Sequence, residues 1–175
     1  YEYFLECLKS LNAQTFKDIE IIIVDDCSTD GSFDKIKVLL HNDSRVQLHQ
    51  NDKNRGVGFT KRKCVELANG EFCGFVDPDD AVTTTAIEDA VKNYDGRTVA
   101  VYSQFQMCDS DMKFEKIFPK SAPVKNGNNL FFNIFLEANH FFTFRKSAYD
   151  STSGINPELT SAVDQDLYLK LYETG

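Results

Sequence analysis

A run of β-branched residues near the start of the chain constrains the fold more than any other feature. Residues 19–24 read IEIIIV, and Glu20 is the only polar side chain among them. A strand that is apolar on both faces is typical of a parallel sheet covered by helices on its two sides. Turn-forming residues follow at once, so we expect a buried strand that delivers Asp25 and Asp26 to one edge of a sheet.

Helical and strand patterns alternate over the first hundred residues. Apolar residues at helical spacing predict helices over 2–13, around 36–40, over 59–68 and over 84–94. Short apolar runs predict further strands over 46–49, 72–76 and 99–105. This order is typical of a doubly wound, mostly parallel α/β sheet with helices on both faces.

The later residues follow a different pattern. We predict a turn between two strands at 109–111, a helix over 128–137, an extended segment over 140–145 and a helix over 164–173. No internal repeat or linker separates the two parts. We therefore expect one domain, with a smaller region joined to the α/β part.

Length and charge narrow the functional classes. The chain has 175 residues, of which 42% are hydrophobic, so it is long enough to bury a core. Its 19 basic and 27 acidic residues give a formal charge of −8. That balance argues against a protein that holds nucleic acid by bulk charge. An anionic ligand would need a local site, such as a helix N-terminus, a few basic side chains or a metal ion.

The cysteines and the chain ends carry further expectations. Five widely spaced cysteines form no CxxC pair, which predicts neither a zinc site nor a disulfide framework and favours a reduced, cytoplasmic protein. No apolar run reaches the length of a membrane span, and peripheral contact with the inner face of a membrane stays open. Tyr1 lies within a predicted helix and Gly175 directly follows one, so we expect a fragment of a longer protein.

Two predicted strands end in clusters of carboxylates. The first cluster is Asp25 and Asp26, and the second is Asp77, Asp79 and Asp80. Ligands of open α/β sheets bind at the carboxyl ends of the strands, and clustered carboxylates there need a cation or hydrogen-bond donors. A hard divalent metal with open positions for a phosphate-bearing substrate would satisfy both requirements. The alternative is structural, because aspartate also starts turns and caps helices.

Six ordered segments resemble family 2 glycosyltransferases. They are NAQTF at 12–16, IEIIIVDDCSTDG at 19–31, NRGVG at 54–58, ANGEF at 68–72, FVDPDD at 75–80 and VDQDLYLKL at 163–171. The FVDPDD segment looks like the DxD-type motif of that family, and the last segment looks like its later acidic motif. The match is dense over 1–95, thin over 96–140, and returns near 140–175.

The resemblance implies a GT-A fold and a metal-dependent enzyme. One domain over 1–175 would comprise a nucleotide-sugar-binding half at 1–105 and an acceptor-binding half at 106–175, with the family's first strand and C-terminal part lying outside this sequence. The implied reaction is inverting transfer of a sugar, from a UDP-sugar by family frequency, to a saccharide or lipid-linked saccharide acceptor. The implied setting is bacterial polysaccharide or glycan biosynthesis. The sequence does not reveal the donor sugar, the acceptor or the oligomeric state.

The resemblance also assigns roles residue by residue. It implies nucleotide-binding positions at Asp25, Asp26, Asn54, Gly56, Lys61, Arg62, Asp77 and Asp79. Asp80, together with Asp79, would coordinate Mg²⁺ or Mn²⁺ that bridges the two phosphates. Asp164 would be the general base that takes the proton of the acceptor hydroxyl, with Asp166 ranked second.

Two departures from the family pattern keep alternatives open. Lys61-Arg62 stands where many members carry Arg-Asn, and either cation could approach the diphosphate or lie on a solvated helix face. Val163 stands where glutamate is frequent, and Asp164 could instead cap the last helix.

Two tyrosines and a histidine are further candidates for ligand contacts. Tyr168 and Tyr172 could stack on an acceptor sugar, with core packing as the default. His140 could contact the diphosphate or the acceptor, or lie hydrogen-bonded beside a core strand.

The sequence is also compatible with three other functions. A receiver-like phosphoacceptor domain would use Asp25, Asp26 and Asp77, although the DPDD run and the extra length argue against it. A nucleotidyltransferase would share the metal and the nucleotide but would release pyrophosphate. A degenerate transferase would bind the donor without turnover.

Overall fold

Helices and strands alternate through the N-terminal part of the chain. The computed structural model describes residues 1–123, 138 and 140–174, so the helix expected over 128–137 lies outside the described residues. The helices are α1 (Glu2–Asn12), α2 (Ser32–Leu40), α3 (Val57–Leu67), α4 (Ala86–Lys92), α5 (Lys146–Asp150) and α6 (Val163–Tyr172). The strands are β1 (Ile21–Asp25), β2 (Val46–Gln50), β3 (Phe72–Gly74), β4 (Ala100–Tyr102), β5 (Gln106–Cys108), β6 (Phe114–Ile117) and β7 (Phe142–Arg145).

The described strand pairs form a mixed arrangement. β1 and β2 pair in parallel, from Ile21 opposite Val46 to Asp25 opposite Gln50. β7 lies between β3 and β4 and runs antiparallel to both. The sequence predicted a mostly parallel sheet, but the two strand pairs that contain β7 are antiparallel. The reason is that β7, from late in the chain, lies between the earlier strands β3 and β4. β5 and β6 form a separate hairpin around the predicted turn at 109–111.

The larger core lies behind β7 and α6. Phe144, Ile155, Leu167 and Leu171 are almost completely buried there. Tyr168 is also buried, and its ring stacks on Phe142 at a centroid distance of 4.0 Å. The default expectation of core packing for this tyrosine is therefore confirmed.

A smaller core joins α1 and α2. Leu8, Ile36 and Leu40 pack together there against Ile23 of β1. Only Ile21 of β1 is buried, and the other residues of the strand are half-buried. The expectation of a strand buried on both faces is thus met less completely than the apolar run suggested.

Two polar side chains between α1 and β1 hydrogen-bond to distant segments of the chain. Buried Gln14 donates a hydrogen bond to the Thr83 carbonyl at 2.8 Å and accepts one from the Ile87 amide at 3.1 Å. Glu20 accepts hydrogen bonds from the amides of Asn69 and Gly70 at 2.6 and 2.7 Å. The single polar residue of the IEIIIV run therefore fixes the turn that leads into β3.

Within the described ranges, every helix is too short or too polar to cross a membrane.

Candidate active site

A cleft of about 320 Å³ lies where the start of α3, the segment after β3 and the start of α6 meet. Its lining residues are Val57, Lys61, Asp77, Pro78, Asp79, Ser161, Ala162, Val163 and Asp164. Four of the predicted site residues thus meet in one place, although they come from three separate parts of the sequence. Ser161 and Ala162 carry no chemical signature that would have revealed them in advance.

Lys61 is the centre of this cleft. Its ammonium Nζ lies 2.8 Å from Asp164 Oδ1 and 3.2 Å from Asp77 Oδ1. The same ammonium lies 5.2 Å from the centroid of the Phe75 ring, which is close enough for a cation–π contact. Burial lowers the pKa of Lys61, but the hydrogen bond and charge of Asp164 and the charge of Asp77 outweigh it, so the pKa is raised. Lys61 is therefore charged at neutral pH.

Asp164 lies in the first turn of α6 and does not cap the helix. The capping position belongs to Ala162, which has a φ of 56°. The alternative that Asp164 is the N-cap is therefore wrong. Its side chain instead turns into the cleft and contacts Lys61.

Asp166, the second candidate for the general base, is hydrogen-bonded to other residues of the protein. One of its oxygens, Oδ2, accepts hydrogen bonds from Lys170 Nζ at 2.7 Å and from the Asn156 amide at 3.1 Å. Lys170 also donates to the Gly154 carbonyl at 2.8 Å. Asp166 and Lys170 therefore hold the loop before α6, and Asp166, unlike Asp164, does not line the cleft.

The carboxylates of Asp79 and Asp80 differ from those around them because they have no hydrogen-bond or ion-pair partner among the described residues. Burial raises the pKa of Asp80, and the charges of Asp79 and Asp77 add to the rise. His140 and Lys61 are close enough to offset part of it. Within the second acidic cluster, Asp77 is ion-paired with Lys61, while Asp79 and Asp80 have no ion-pair partner among the described residues.

This chemistry fits a hard divalent cation that is shared with a ligand. Mg²⁺ is commonly held by one or two carboxylates together with substrate phosphates. Asp79 and Asp80 can supply such a pair. Over the described ranges, no group of three or more acidic, histidine or cysteine side chains converges as a metal cage. The donor set therefore suits a metal that needs phosphate oxygens to complete its coordination.

The first acidic cluster is largely satisfied by the protein. Asp26 Oδ1 accepts hydrogen bonds from Asn51 Nδ2 and the Arg55 amide, and Oδ2 accepts one from the Gly56 amide, all at 2.8 Å. Partial burial raises the pKa of Asp26, but these hydrogen bonds outweigh it and lower the pKa below its ordinary value. Asp26 therefore fixes the loop that begins α3.

The other residues expected near the nucleotide surround the same loop. Asp25 accepts hydrogen bonds from the Ser28 amide and from Gln50 Nε2, both at 3.0 Å. The side chain of Asn54 accepts a hydrogen bond from the Gly56 amide at 3.2 Å. These residues do not line the cleft around Lys61.

Arg62 faces away from its neighbour Lys61. Its guanidinium donates to Glu66 at 2.8 Å and to the carbonyls of Ser153 and Ile155, both at 3.2 Å. The structure thus does not place this predicted diphosphate contact in the cleft. Arg62 instead holds the loop that leads to α6.

Gly58 allows this loop to approach α3 closely, a role that the sequence reasoning missed. A β-carbon at Gly58 would lie 2.6 Å from the carbonyl oxygens of both Asn156 and Leu159. The Gly58 amide also donates a hydrogen bond to the Leu159 carbonyl at 3.1 Å. Gly58, the second glycine of the GVG run, therefore allows the loop before α6 to pack closely against α3. This packing limits how near α6 can come to Lys61.

Comparisons with known proteins point to one family. The model of the family "Glycosyl transferase family 2" matches residues 1–152. The chain is 30% identical to chondroitin synthase from Escherichia coli over 184 aligned residues, which cover 99% of the chain and 25% of that protein. It is 29% identical to hyaluronan synthase from Pasteurella multocida, covering 99% of the chain and 18% of that protein. These matches favour the transferase interpretation over the receiver and nucleotidyltransferase alternatives.

Solved structures agree in fold. TarS 1–349 from S. aureus in complex with UDP-GlcNAc overlaps with a TM-score of 0.79 and 27% identity, covering 99% of the chain and 50% of the TarS chain. The same TarS fragment in complex with UDP gives a TM-score of 0.78 at 25% identity, with 99% and 52% covered. The predicted GT-A class of α/β fold is confirmed. The chain spans a quarter or less of the two synthases and about half of the TarS fragment.

Proposed function

The chain belongs to glycosyl transferase family 2, and from this premise we propose that it transfers a sugar from a nucleotide-diphosphate sugar to an acceptor hydroxyl. The proposal rests above all on the cleft that Asp79 and Asp164 line together from distant parts of the sequence, with Asp80 directly following Asp79 in the chain. Asp79 and Asp80 suit a metal-bound diphosphate, and Asp164 suits removal of a proton from the acceptor.

We assign Asp79 and Asp80 to a Mg²⁺ or Mn²⁺ ion that is held jointly with the donor. Such an ion would stabilise the negative charge that develops on the departing diphosphate. The two side chains have no competing partner among the described residues. They can therefore turn to the ion without breaking an internal hydrogen bond.

We assign Asp164 to the acceptor hydroxyl as general base. A sugar hydroxyl is a poor nucleophile near neutral pH, so a positioned carboxylate accelerates its attack. In the proposed step, Asp164 accepts the proton while the hydroxyl oxygen bonds to the anomeric carbon. The bond from that carbon to the diphosphate breaks, and its electron pair leaves with the diphosphate. Attack on the face opposite the leaving group inverts the anomeric configuration.

We place the nucleotide base near the carboxyl end of β1, where Asp25 and Asp26 frame the loop of Asn54 and Gly56. Ligands of open α/β sheets bind at such an edge. The Asp26 hydrogen bonds would keep this loop in shape before the donor arrives. Both hydrogen bonds described above for Asp25 reach its Oδ2, which leaves Oδ1 as the oxygen that would contact the nucleoside.

The proposed donor is a UDP-sugar, and the proposed setting is polysaccharide biosynthesis. The TarS structures contain UDP or UDP-GlcNAc, and the synthases named above make chondroitin or hyaluronan. These proteins support the proposal for this chain by similarity. The acceptor is proposed only as a saccharide or lipid-linked saccharide.

Calorimetric titration tests the donor assignment. We expect UDP to bind in the presence of Mn²⁺ and to lose its affinity when EDTA removes the metal, with weaker binding of GDP and dTDP. UDP-sugars, with UDP-GlcNAc first, are then screened for turnover on chondroitin and hyaluronan oligosaccharides. A folded protein that binds none of the three nucleotides would refute the proposal.

Substitution of the base tests the chemical step. We expect Asp164→Asn to lower kcat by about 10²- to 10⁴-fold while the affinity for UDP stays unchanged. Asp18→Asn is the matched control, because Asp18 is exposed and has no partner in the described part of the chain. Turnover by Asp164→Asn near the wild-type rate would show that another group removes the proton.

A further inference from the structure

Lys61 occupies a position that the sequence assigned to diphosphate binding, but its contacts indicate another task. We propose that Lys61 is a positioning residue that holds Asp164 in place as the base and ties it to the donor-binding segment. This inference rests on the proposed function above. It differs from the sequence expectation because Lys61 would act through Asp164 rather than by binding the donor.

The ammonium group is already engaged by two carboxylates. It lies 2.8 Å from Asp164 and 3.2 Å from Asp77, and only 12% of the lysine side chain is exposed. The ammonium donates a hydrogen bond to Asp164 and forms an ion pair with Asp77. Turning Lys61 to a phosphate would leave Asp77 and Asp164 without the cation that they share, and a like charge nearby disfavours the ionised form of each carboxyl.

The contact leaves the catalytic side of Asp164 open. Lys61 binds Oδ1, while Oδ2 has no partner among the described residues. A carboxylate that is fixed through one oxygen can present the other to an acceptor hydroxyl in a defined direction. Positioning of this kind reduces the entropy lost on reaching the transition state.

The second partner of Lys61 links the base to the donor site. Asp77 lies two residues before Asp79, in the segment that follows β3. Asp164 lies on α6, 103 residues after Lys61 in the sequence. The ammonium therefore sets the distance between the segment that would hold the metal and the helix that carries the base. Because Lys61 itself lies on α3, this helix also helps to fix the base relative to the metal-binding segment.

The opposite orientation of Arg62 supports the assignment. Arg62 binds the carbonyls of Ser153 and Ile155 and so holds the loop before α6. The two adjacent cations on α3 thus both contact the region that carries Asp164, one at the loop and one at the base itself.

The test separates donor binding from turnover. In Lys61→Met, we expect kcat to fall on the order of a hundredfold, the loss typical of a small misplacement of a catalytic group. The dissociation constant for UDP in the presence of Mn²⁺ should stay within about twofold of wild type, because a positioning residue does not touch the donor. Lys61→Arg should restore part of the lost kcat, since it keeps the positive charge. Lys37→Met is the matched control, because Lys37 is an exposed helical lysine on α2 that is unpaired in the described part of the chain.

The opposite split would overturn the inference. If Lys61→Met weakens UDP binding tenfold or more and keeps kcat, Lys61 is a diphosphate ligand. If Lys61→Met does not fold, Lys61→Gln, which retains an N–H donor, is measured in the same way. The comparison of its kcat with its dissociation constant for UDP then decides between the two roles. A wild-type protein that shows neither UDP binding nor turnover would refute the proposed function itself, and this inference with it.

Discussion

The two acidic clusters look alike in sequence and differ in their partners. Both follow an apolar strand, and both contain adjacent aspartates. In the first cluster, Asp26 receives three hydrogen bonds from the loop before α3. In the second, Asp79 and Asp80 receive none from the described residues. The Asp26 carboxylate is therefore satisfied by the protein, whereas Asp79 and Asp80 are available to a ligand.

The comparison shows what distinguishes a structural carboxylate from a functional one. A carboxylate surrounded by N–H donors is stabilised as an anion and contributes to folding. A carboxylate crowded by other carboxylates is destabilised, and such an arrangement persists where a bound cation compensates it. The directions of the pKa shifts agree, since the pKa of Asp26 is lowered and that of Asp80 is raised by burial and by the neighbouring charges.

The largest expected effect comes from the second cluster. Asp80→Ala should reduce transfer on the order of a thousandfold, because a metal ligand that stabilises the leaving diphosphate is lost. The melting temperature should stay the same or rise slightly, because the carboxylate that is removed is unfavourable in the fold. Turnover and thermal unfolding of the same preparation measure both effects. A marked fall in the melting temperature would break the comparison, since it would reveal a structural partner of Asp80.

Asp26→Ala should show the reverse pattern. Three hydrogen bonds to a charged acceptor are lost, so we expect the free energy of unfolding to fall by about 2–3 kcal/mol. Urea denaturation measures this change. An Asp26→Ala protein that keeps its stability but loses UDP binding would assign the first cluster to the ligand instead.

Acid should weaken the first cluster specifically. The pKa of Asp26 in the folded protein lies below its ordinary value of 3.8, so its stabilising effect is complete above that value and is lost as the pH falls through the lower, folded-state pKa. The difference in unfolding free energy between wild type and Asp26→Ala should therefore shrink as the pH falls from about 5 to about 2. A difference that stays constant over this range would show that the Asp26 charge is not what stabilises the loop.

The smallest effect is expected at Asp25. Its carboxylate accepts two hydrogen bonds, from the Ser28 amide and from Gln50, so Asp25→Ala should cost about 1 kcal/mol of stability. The same urea experiment compares it with Asp26→Ala. If Asp25→Ala proves the more damaging of the two, the number of hydrogen bonds is a poor guide to the structural role of these carboxylates.

Local patterns in the sequence predicted most of the elements. α1, α6 and β2 begin and end within about two residues of the positions expected from apolar spacing. The turn at 109–111 and the extended segment before Arg145 also appear where they were expected. Such features depend on residues close together in the chain. The position of β7 between β3 and β4 was not predictable, because pairing partners far apart in sequence leave no local trace.

For the site, the sequence by itself determined which chemistry is present. It placed carboxylates after two strands, a lysine on α3 and an aspartate at the start of α6. Only the tertiary structure decided that Asp26 is satisfied, that Asp80 is not, and that Lys61 and Asp164 meet at 2.8 Å. Whether a charged group is structural or available depends on which donors surround it. Those donors come from distant segments that only folding brings together.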